Sequence, residues 1–326
     1  MTDYRLSPSQ MSVFRVCPKR YEYKYIQGRV PVHDDSEAMA FGRLWDDATG
    51  VLWAEGGDLS KVVAWLTSNA ENINPLDAVK VAVLLEHYDP PIGKYEFVGN
   101  QQPVTFEVDT AEGPVPILTK SDTLLREKTK RKRLIVREAK TTTFDIDGDS
   151  PYWQTLQINT QVAAYWKSHK AAGVLYDVIK RPTLLVCDKD AREAANTKLD
   201  DGWNKGMTKK AQAELLKSIV DQVTDEEKLA AYQVRLSEHV ASKPSAYFQF
   251  RAIFKTKADL ERDSVNLSMQ AELVALARVN GTYPMYEHSC ITGFMGRCPY
   301  LDVCTNKAAL SDSSMFADVP HRSKPF

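Results

Sequence analysis

Five stretches of the chain have the alternation of apolar and polar residues, or the short apolar run, that is typical of β-strands. Three of these stretches alternate between apolar and polar residues and are bounded by turn residues, which predicts antiparallel strands. They are Val104–Asp109, Pro116–Leu125 and Leu134–Glu138. Val174–Asp188 predicts a further strand that a proline interrupts, and Ala246–Phe254 alternates again.

Apolar residues that recur every three or four positions predict helices elsewhere in the chain. The first begins at Ser7, which can cap it, with Pro8 at the first helical position and Gln10 completing a capping box. The other predicted helices are Ser36–Trp53, Leu59–Ala70, Pro75–His87, Tyr152–Ala171 and Asp259–Val279, and residues 189–240 are mostly polar and helical. This mixture of elements predicts an α/β fold.

The composition narrows the class of protein. Hydrophobic residues make up 43% of the chain and charged residues 26%, as in ordinary globular proteins. A net charge of −1 gives no overall attraction to a polyanion, so nucleic-acid contacts would depend on local clusters of charge. No apolar run approaches the roughly 18 residues of a membrane span, and the first residues lack a secretory signal. We expect a cytoplasmic protein without a membrane partner.

The cysteines predict a metal centre. Cys290, Cys298 and Cys304 form a C-x7-C-x5-C pattern, and Cys17 lies near the other end of the chain. Four thiolates can hold a 4Fe–4S cluster or a structural zinc, and the lack of a C-x2-C pair favours iron–sulfur. The fifth, Cys187, ends an apolar strand pattern and is expected to be buried.

Two neighbouring predicted strands carry residues suited to a divalent cation. Glu138 and Lys140 are two positions apart and therefore share one face of their strand, and a hairpin can bring Asp122 to that face. Carboxylates and a backbone carbonyl, such as that of Ala139, are ligands for a hard cation, and a lysine can offset phosphate charge. A lone E-x-K triplet is more often an ordinary solvated strand, so the neighbouring features decide its meaning.

The predicted helix after Ser150 adds polar groups. Gln157, Gln161, Tyr165 and His169 are four residues apart and would share one face, where amides and a phenol can bind phosphates or bases. The alternative is an ordinary polar helix face, and His169 is expected to lie at the surface.

The sequence resembles the RecB/AddB-type branch of the PD-(D/E)XK nucleases, in particular its phage-type stand-alone members. The resemblance is carried by three motifs in this order: Asp122, Glu138-x-Lys140 and Gln161-x-x-x-Tyr165. Further parts of the resemblance are Phe14–Tyr21 around Cys17, Gly173–Asp177, Arg181-Pro182, Cys298-Pro299-Tyr300 and Cys304. The resemblance implies a 4Fe–4S cluster on Cys17, Cys290, Cys298 and Cys304, and it implies a role in DNA repair or recombination.

One position departs from the family pattern. Phe41–Asp46 places Asp46 where the branch usually has a metal-binding histidine. A carboxylate is a suitable ligand for Mg²⁺ or Mn²⁺, so Asp46 can replace the histidine. The alternatives are a solvated or capping aspartate and a weakened metal position.

The resemblance also implies a nuclease core with a central mixed sheet flanked by helices. We expect one domain over residues 1–326, with its core at about 1–55, 101–188 and 241–326 and helical insertions at about 56–100 and 189–240. Asp122, Glu138, the Ala139 carbonyl and Asp46 would bind Mg²⁺ or Mn²⁺, and Lys140 would stabilise the reacting phosphate. Gln157, Gln161 and Tyr165 would hold the substrate.

The implied activity is a DNA exonuclease that hydrolyses phosphodiester bonds in single strands or at duplex ends with a metal-activated water. The alternatives are a restriction-like endonuclease and a non-catalytic DNA-binding subunit with a decayed site. The chain has no G-x-x-x-x-G-K-[ST] motif and so no nucleotide-driven motor of its own, which leaves open a helicase or recombinase in trans. The basic run Lys128–Arg133 is more simply a solvated hairpin tip than a DNA contact, whereas Arg15, Lys19 and Arg20 could bind single strands.

Overall fold

A computed structural model describes residues 5–32, 37–199, 203, 205–292 and 296–318. Within them the helices are α1 (Pro8–Val16), α2 (Pro18–Tyr21), α3 (Glu37–Ala54), α4 (Leu59–Ser68), α5 (Pro75–Glu86), α6 (Pro151–Gln157), α7 (Thr160–His169), α8 (Asp188–Asn196), α9 (Lys209–Val220), α10 (Asp225–Ala241), α11 (Lys257–Asn280) and α12 (Leu301–Cys304). The strands are β1 (Arg29–Pro31), β2 (Tyr95–Asn100), β3 (Pro103–Thr110), β4 (Gly113–Lys120), β5 (Thr123–Glu127), β6 (Leu134–Thr142), β7 (Gly173–Lys180), β8 (Phe248–Ile253), β9 (Ile291–Thr292), β10 (Gly296–Arg297) and β11 (Phe316–Asp318).

The centre of the fold is a five-stranded sheet with the strand order β2-β5-β6-β7-β8. β6 and β7 run parallel, whereas the other neighbouring strands are antiparallel. β7 is buried along almost its whole length, which explains why its sequence is mainly apolar apart from Asp177 and Lys180. The sheet confirms the predicted α/β fold with a central mixed sheet flanked by helices.

Helices cover both faces of this sheet, because alternate side chains of β6 and β7 point to opposite sides. On one side α3, α5 and α10 form a core whose buried members include Phe41, Trp45, Leu84, Tyr232 and Leu236, with Ile179 of β7. On the other side α6 and α7 pack on β6 and β7 through Trp153, Leu156, Val162, Tyr165, Val136, Tyr176 and Val178. The strand residues that carry polar groups are therefore held between two apolar layers.

The first helix joins a third apolar cluster. Its predicted capping box is confirmed, since Ser7 and Gln10 each accept a hydrogen bond from the other's backbone N–H at 3.2 Å. The apolar side of α1 packs against α11 and the β3–β4 hairpin through Met11, Phe14, Ile117, Leu267 and Val274. This contact fixes α1 beside α7 and the edge of the candidate site.

Residues from both ends of the described chain meet in a separate small sheet. β1 pairs with β11, so that Arg29 lies opposite Asp318 and Pro31 opposite Phe316. Tyr23 and Phe316 both pack on Tyr300, with ring centroids 5.4 Å apart in each pair. The amino-terminal segment is thus held by residues close to the far end of the chain.

Three predicted elements are wrong in extent. The single helix at Tyr152–Ala171 is two helices, because Asn159 adopts an extended backbone and its side chain caps α7 by accepting from Gln161 N–H at 2.9 Å. The strand at Val174–Asp188 ends at Lys180, before Pro182, which has no N–H to donate. The region 56–100, expected to be helical, ends in β2, an edge strand of the central sheet.

Two other predictions also differ from the structure. The strand at Pro116–Leu125 is interrupted at Ser121 and Asp122: β4 pairs with β3, and β5 joins the central sheet. Cys187 was expected to be buried but is exposed, because it precedes α8 instead of lying in a strand. Ser36, the predicted start of α3, lies outside the described residues.

None of the helices described is both long and apolar enough to cross a membrane.

Candidate active site

Asp122 lies at the bend between β4 and β5, beside the middle of β6. Its carboxylate Oδ2 accepts a hydrogen bond from the backbone N–H of Ala139 at 2.9 Å. Its own carbonyl accepts from the N–H of Gln101 at 3.0 Å, which holds the bend against the start of β3. The interruption of the strand therefore turns the Asp122 carboxylate towards the backbone between Glu138 and Lys140.

Glu138 and Lys140 share one face of β6 and meet the polar side of α7. Lys140 Nζ donates to Glu138 Oε1 at 2.5 Å, and the Tyr165 hydroxyl donates to Glu138 Oε2 at 2.5 Å. Gln161 Nε2 donates to the Tyr165 oxygen at 2.5 Å, and its Oε1 accepts from Lys140 Nζ at 3.5 Å. Four side chains thus form a closed ring in which both oxygens of Glu138 have donors.

Asp46 approaches the same centre from α3. Gln101 Nε2 donates to its Oδ2 at 3.4 Å, and Asp46, Asp47 and Asp122 line a cavity of about 440 Å³. α3 can come this close to β6 because Gly42 has no side chain: a Cβ there would lie 3.0 Å from the Thr141 hydroxyl oxygen. The structure therefore places Asp46 next to Asp122 and the site residues on β6.

The carboxylates repel one another in a buried setting. Burial raises the pKa of Asp122 well above its usual value, and the charges of Glu138 and Asp46 raise it further, against opposing effects of Lys140 and Arg137. Burial likewise raises the pKa of Asp46. Burial works to lower the pKa of Lys140, but Glu138 and Asp122 outweigh it, so the net shift is upward. Lys140 is therefore protonated at neutral pH.

Arg137, a buried cation that the sequence analysis did not single out, lies on the face of β6 opposite the candidate site. The side chain of Arg137 is fully buried, forms an ion pair with Asp177 at 2.7 Å and donates to the Thr49 hydroxyl on α3 at 2.6 Å. Tyr88 donates to the same Asp177 carboxylate. Arg137 precedes Glu138 in β6, so its side chain points to the opposite face and ties α3 to the sheet. An arginine before an acidic residue is too common to have predicted this contact.

The structure brings Asp46, Asp122, Glu138, Lys140, Gln161 and Tyr165 together but not Gln157. Gln157 is the exposed last residue of α6, and among the described contacts only its backbone carbonyl is engaged, by Lys255 Nζ at 2.7 Å. No set of three or more His, Cys, Asp or Glu side chains in the described part of the chain has the spacing of a metal site. Both oxygens of Glu138 and one oxygen each of Asp122 and Asp46 accept hydrogen bonds from protein donors, which a cation bound at those oxygens would have to replace.

The four cysteines of the predicted metal centre lie in one region. Ser289, next to Cys290, donates to the Val16 carbonyl, next to Cys17, at 2.6 Å, and Cys298 N–H donates to the Cys290 carbonyl at 2.8 Å. Burial raises the pKa of Cys304, its hydrogen bond with the Tyr23 hydroxyl lowers that pKa, and the charges of the other three cysteines raise it. The thiols are thus near neighbours, although no described group has the spacing of a formed metal site.

A mixed sheet that carries an acidic residue beside an E-x-K strand is the arrangement expected of a PD-(D/E)XK nuclease. A family model of the PD-(D/E)XK nuclease superfamily matches residues 5–305, and the chain belongs to that superfamily. Its members are generally phosphodiester hydrolases that use Mg²⁺ or Mn²⁺.

Solved structures give more distant likenesses. A structure described as a "putative exonuclease" from Eubacterium rectale is 12% identical, with a TM-score of 0.44, and the match covers 94% of this chain and 89% of that one. A structure of a protein designated SSO0001 is 14% identical, with a TM-score of 0.26 over 55% of this chain; the chain spans 64% of that protein's length. A search of curated proteins finds no match.

Proposed function

We propose that the protein is a metal-dependent deoxyribonuclease, an exonuclease that acts on single strands or DNA ends. The observation that carries the proposal is the meeting of Asp122 with the backbone between Glu138 and Lys140, 2.9 Å from the Ala139 nitrogen. This contact joins Asp122, at the bend between β4 and β5, with Glu138 of β6 into one acidic centre beside the protonated Lys140. Membership of the RecB/AddB-type branch, with a helicase or recombinase in trans, is part of this proposal.

The donor set fits a hard cation. Asp122, Glu138 and Asp46 are carboxylates whose mutual repulsion in a buried setting a divalent cation would relieve. Together with the Ala139 carbonyl they would hold Mg²⁺ or Mn²⁺. When bound, the metal would act as a Lewis acid that activates water and polarises the phosphate.

The remaining groups have roles that follow from their protonation and contacts. Lys140 stays protonated, so it offsets negative charge on the reacting phosphate and does not act as a base. Burial raises the pKa of Tyr165 well above its usual value, so its hydroxyl keeps its proton and orients Glu138. Gln161 links Tyr165 to Lys140 and stands where it can contact the substrate strand.

The direct test is incubation with end-labelled single-stranded and double-stranded DNA in the presence of Mg²⁺ or Mn²⁺. Release of short labelled products from the ends, with circular DNA left intact, supports the exonuclease. Cleavage of circular DNA would identify an endonuclease instead. If no cleavage occurs and calorimetric titration finds no divalent-metal binding, the chain is a DNA-binding subunit with a decayed site.

The raised pKa of Asp122 predicts how the stability of the metal-free protein depends on pH. Its folded-state pKa is raised, so the folded chain binds this proton more tightly than the unfolded chain does. The stabilisation of the fold by this proton on Asp122 is complete below the usual aspartate pKa. It is lost as the pH rises through the raised pKa of Asp122 in the folded state. In EDTA, the melting temperature of the wild type minus that of Asp122→Asn should therefore fall as pH rises from 4 to 8. Parallel pH profiles would contradict the raised pKa.

Asp46 is tested by two substitutions. We expect Asp46→Asn to lower metal affinity or the cleavage rate, because a charged ligand is lost. Asp46→His should retain activity and shift the preference towards Mn²⁺, because imidazole is a softer ligand. Calorimetry and cleavage rates in each metal provide the measurement. Glu55→Gln, at an exposed carboxylate that follows α3, is the control. Unchanged metal profiles in both Asp46 variants would make Asp46 a bystander.

We further propose that Cys17, Cys290, Cys298 and Cys304 hold a 4Fe–4S cluster. Four thiols of both chain ends lie in one region, a donor set that suits a soft metal. A structural zinc on the same thiols is the alternative.

Protein purified without oxygen should be brown and contain about four iron and four sulfide per chain. Cys304→Ser should bleach it and lower its stability, by about 5–6 kcal/mol if the loop from Cys17 to Cys304 is treated like one closed by a disulfide. Cys187→Ser is the matched control and should keep the colour, since Cys187 is exposed beside α8. Stoichiometric zinc without sulfide would replace the cluster with a zinc site.

A further inference from the structure

A second cavity adjoins the candidate active site. It has a volume of about 560 Å³ and lies between α1 and the break that separates α6 from α7. Gln161 lines it and also accepts from Lys140 Nζ at 3.5 Å, so the cavity opens next to the candidate catalytic groups. The break itself forms one wall, because it brings Ile158 and Asn159 to the surface between the two helices.

The two cavities at the site differ in charge. The cavity on the α3 side is lined by Asp46, Asp47 and Asp122, which suits a cation. No acidic residue lines the second cavity within the described structure, and its lining includes Arg15. Arg15 also has no carboxylate partner among the described residues. The second cavity therefore suits an anionic ligand.

The other lining groups suit the rest of a nucleotide. Ser9 and Ser12 of α1 supply hydroxyls. Asn159 uses its side-chain oxygen to cap α7, which leaves its NH₂ group to donate towards the cavity. Ile158 is 70% exposed and offers an apolar surface for a sugar or base. A volume of this size is within the usual range of ligand pockets, roughly 300–1,000 Å³.

We propose that this cavity is a nucleotide subsite, which holds the DNA residue adjoining the cleaved phosphodiester. Arg15 binds its phosphate, Ile158 packs on its sugar or base, and Asn159 with the α1 hydroxyls completes the polar contacts. The proposal rests on the proposed nuclease function and names the part of the chain that positions the substrate strand. It assigns Arg15 and Ile158 as binding residues that act on affinity.

The test measures binding of a fluorescent single-stranded oligonucleotide by anisotropy in EDTA, at several salt concentrations. Arg15→Gln should raise Kd about tenfold and reduce the slope of log Kd against log salt by about 0.7, the value for one lost phosphate contact to a single strand. Ile158→Glu places a carboxylate in the acid-free cavity and should weaken binding by a similar factor. In cleavage assays KM should rise far more than kcat falls.

Lys257→Gln is the matched control, because this α11 lysine is 92% exposed and lies outside both cavities. It should leave Kd within twofold of wild type. Wild-type Kd and salt slope in both Arg15→Gln and Ile158→Glu would overturn the subsite, whether or not the protein cleaves DNA. Normal wild-type binding with weakened variants but no cleavage in any metal would keep the subsite and reject the nuclease.

Discussion

Lys140→Ala and Glu138→Gln are expected to reduce DNA cleavage by at least 10²–10³-fold, the usual order of loss when a preorganised charge or ligand is removed. In the proposed mechanism Lys140 offsets charge on the reacting phosphate. Glu138 lies between Lys140 and Tyr165, at 2.5 Å from each. The measurement is the single-turnover rate on end-labelled DNA with saturating Mg²⁺ or Mn²⁺. Near-normal rates in either variant would reject this centre.

The same Glu138 variant separates catalysis from stability. The charge of Glu138 raises the pKa of Asp122, so the two carboxylates repel each other when no metal is bound. Glu138→Gln removes that repulsion together with the ion pair to Lys140 and keeps the size of the side chain. The two effects oppose each other, so the metal-free melting temperature should stay close to that of the wild type. Glu96→Gln, on the exposed edge strand β2, is the matched control and should change neither property.

Arg137→Met is expected to lower the free energy of unfolding by about 3–5 kcal/mol, the usual cost of leaving one partner of a buried ion pair uncompensated. Asp177 would remain fully buried with a charge and without the guanidinium, which lies 2.7 Å away in the wild type. Urea unfolding measures the loss. The double variant Arg137→Met with Asp177→Leu should be less destabilised than the single one, because both charges are gone.

The matched control is Arg126→Met on β5. Arg126 is 43% exposed at its side chain and lies 3.9 Å from Glu96, so its loss should cost less than about 1 kcal/mol. A comparable loss in both arginine variants would mean that the buried pair contributes nothing specific. Loss of cleavage in Arg137→Met at a temperature where it remains folded would show that Arg137 also positions α3 and Asp46.

Features of the fold that depend only on residues close together in sequence could be predicted from the sequence. The capping box of α1 depends on Ser7 and Gln10 alone, and both contacts occur. The alternation of β6 places Glu138 and Lys140 on one face, and they meet as the two-residue spacing predicts. These features need no knowledge of the rest of the chain.

The remaining features depend on contacts between distant residues. The bend at Asp122 is held by Gln101 of the β2–β3 turn and by Ala139 of β6, so the apolar pattern of Pro116–Leu125 could not reveal it. The Arg137 side chain is buried because Thr49 and Asp177 supply acceptors for its N–H groups. The break before α7 was open to local prediction, because an asparagine favours helix caps, but the four-residue spacing of Gln157 and Gln161 concealed it.

The pairing of β1 with β11 has a consequence for the order in which the protein can fold during synthesis. Pro31 and its partner Phe316 are about 285 residues apart, which corresponds to roughly 15–60 s of translation at 5–20 residues per second. Throughout that interval β1 is an unpaired edge and Tyr23 lacks Tyr300. The nascent amino-terminal segment therefore stays open to chaperones and proteases until the carboxy-terminal strand leaves the ribosome.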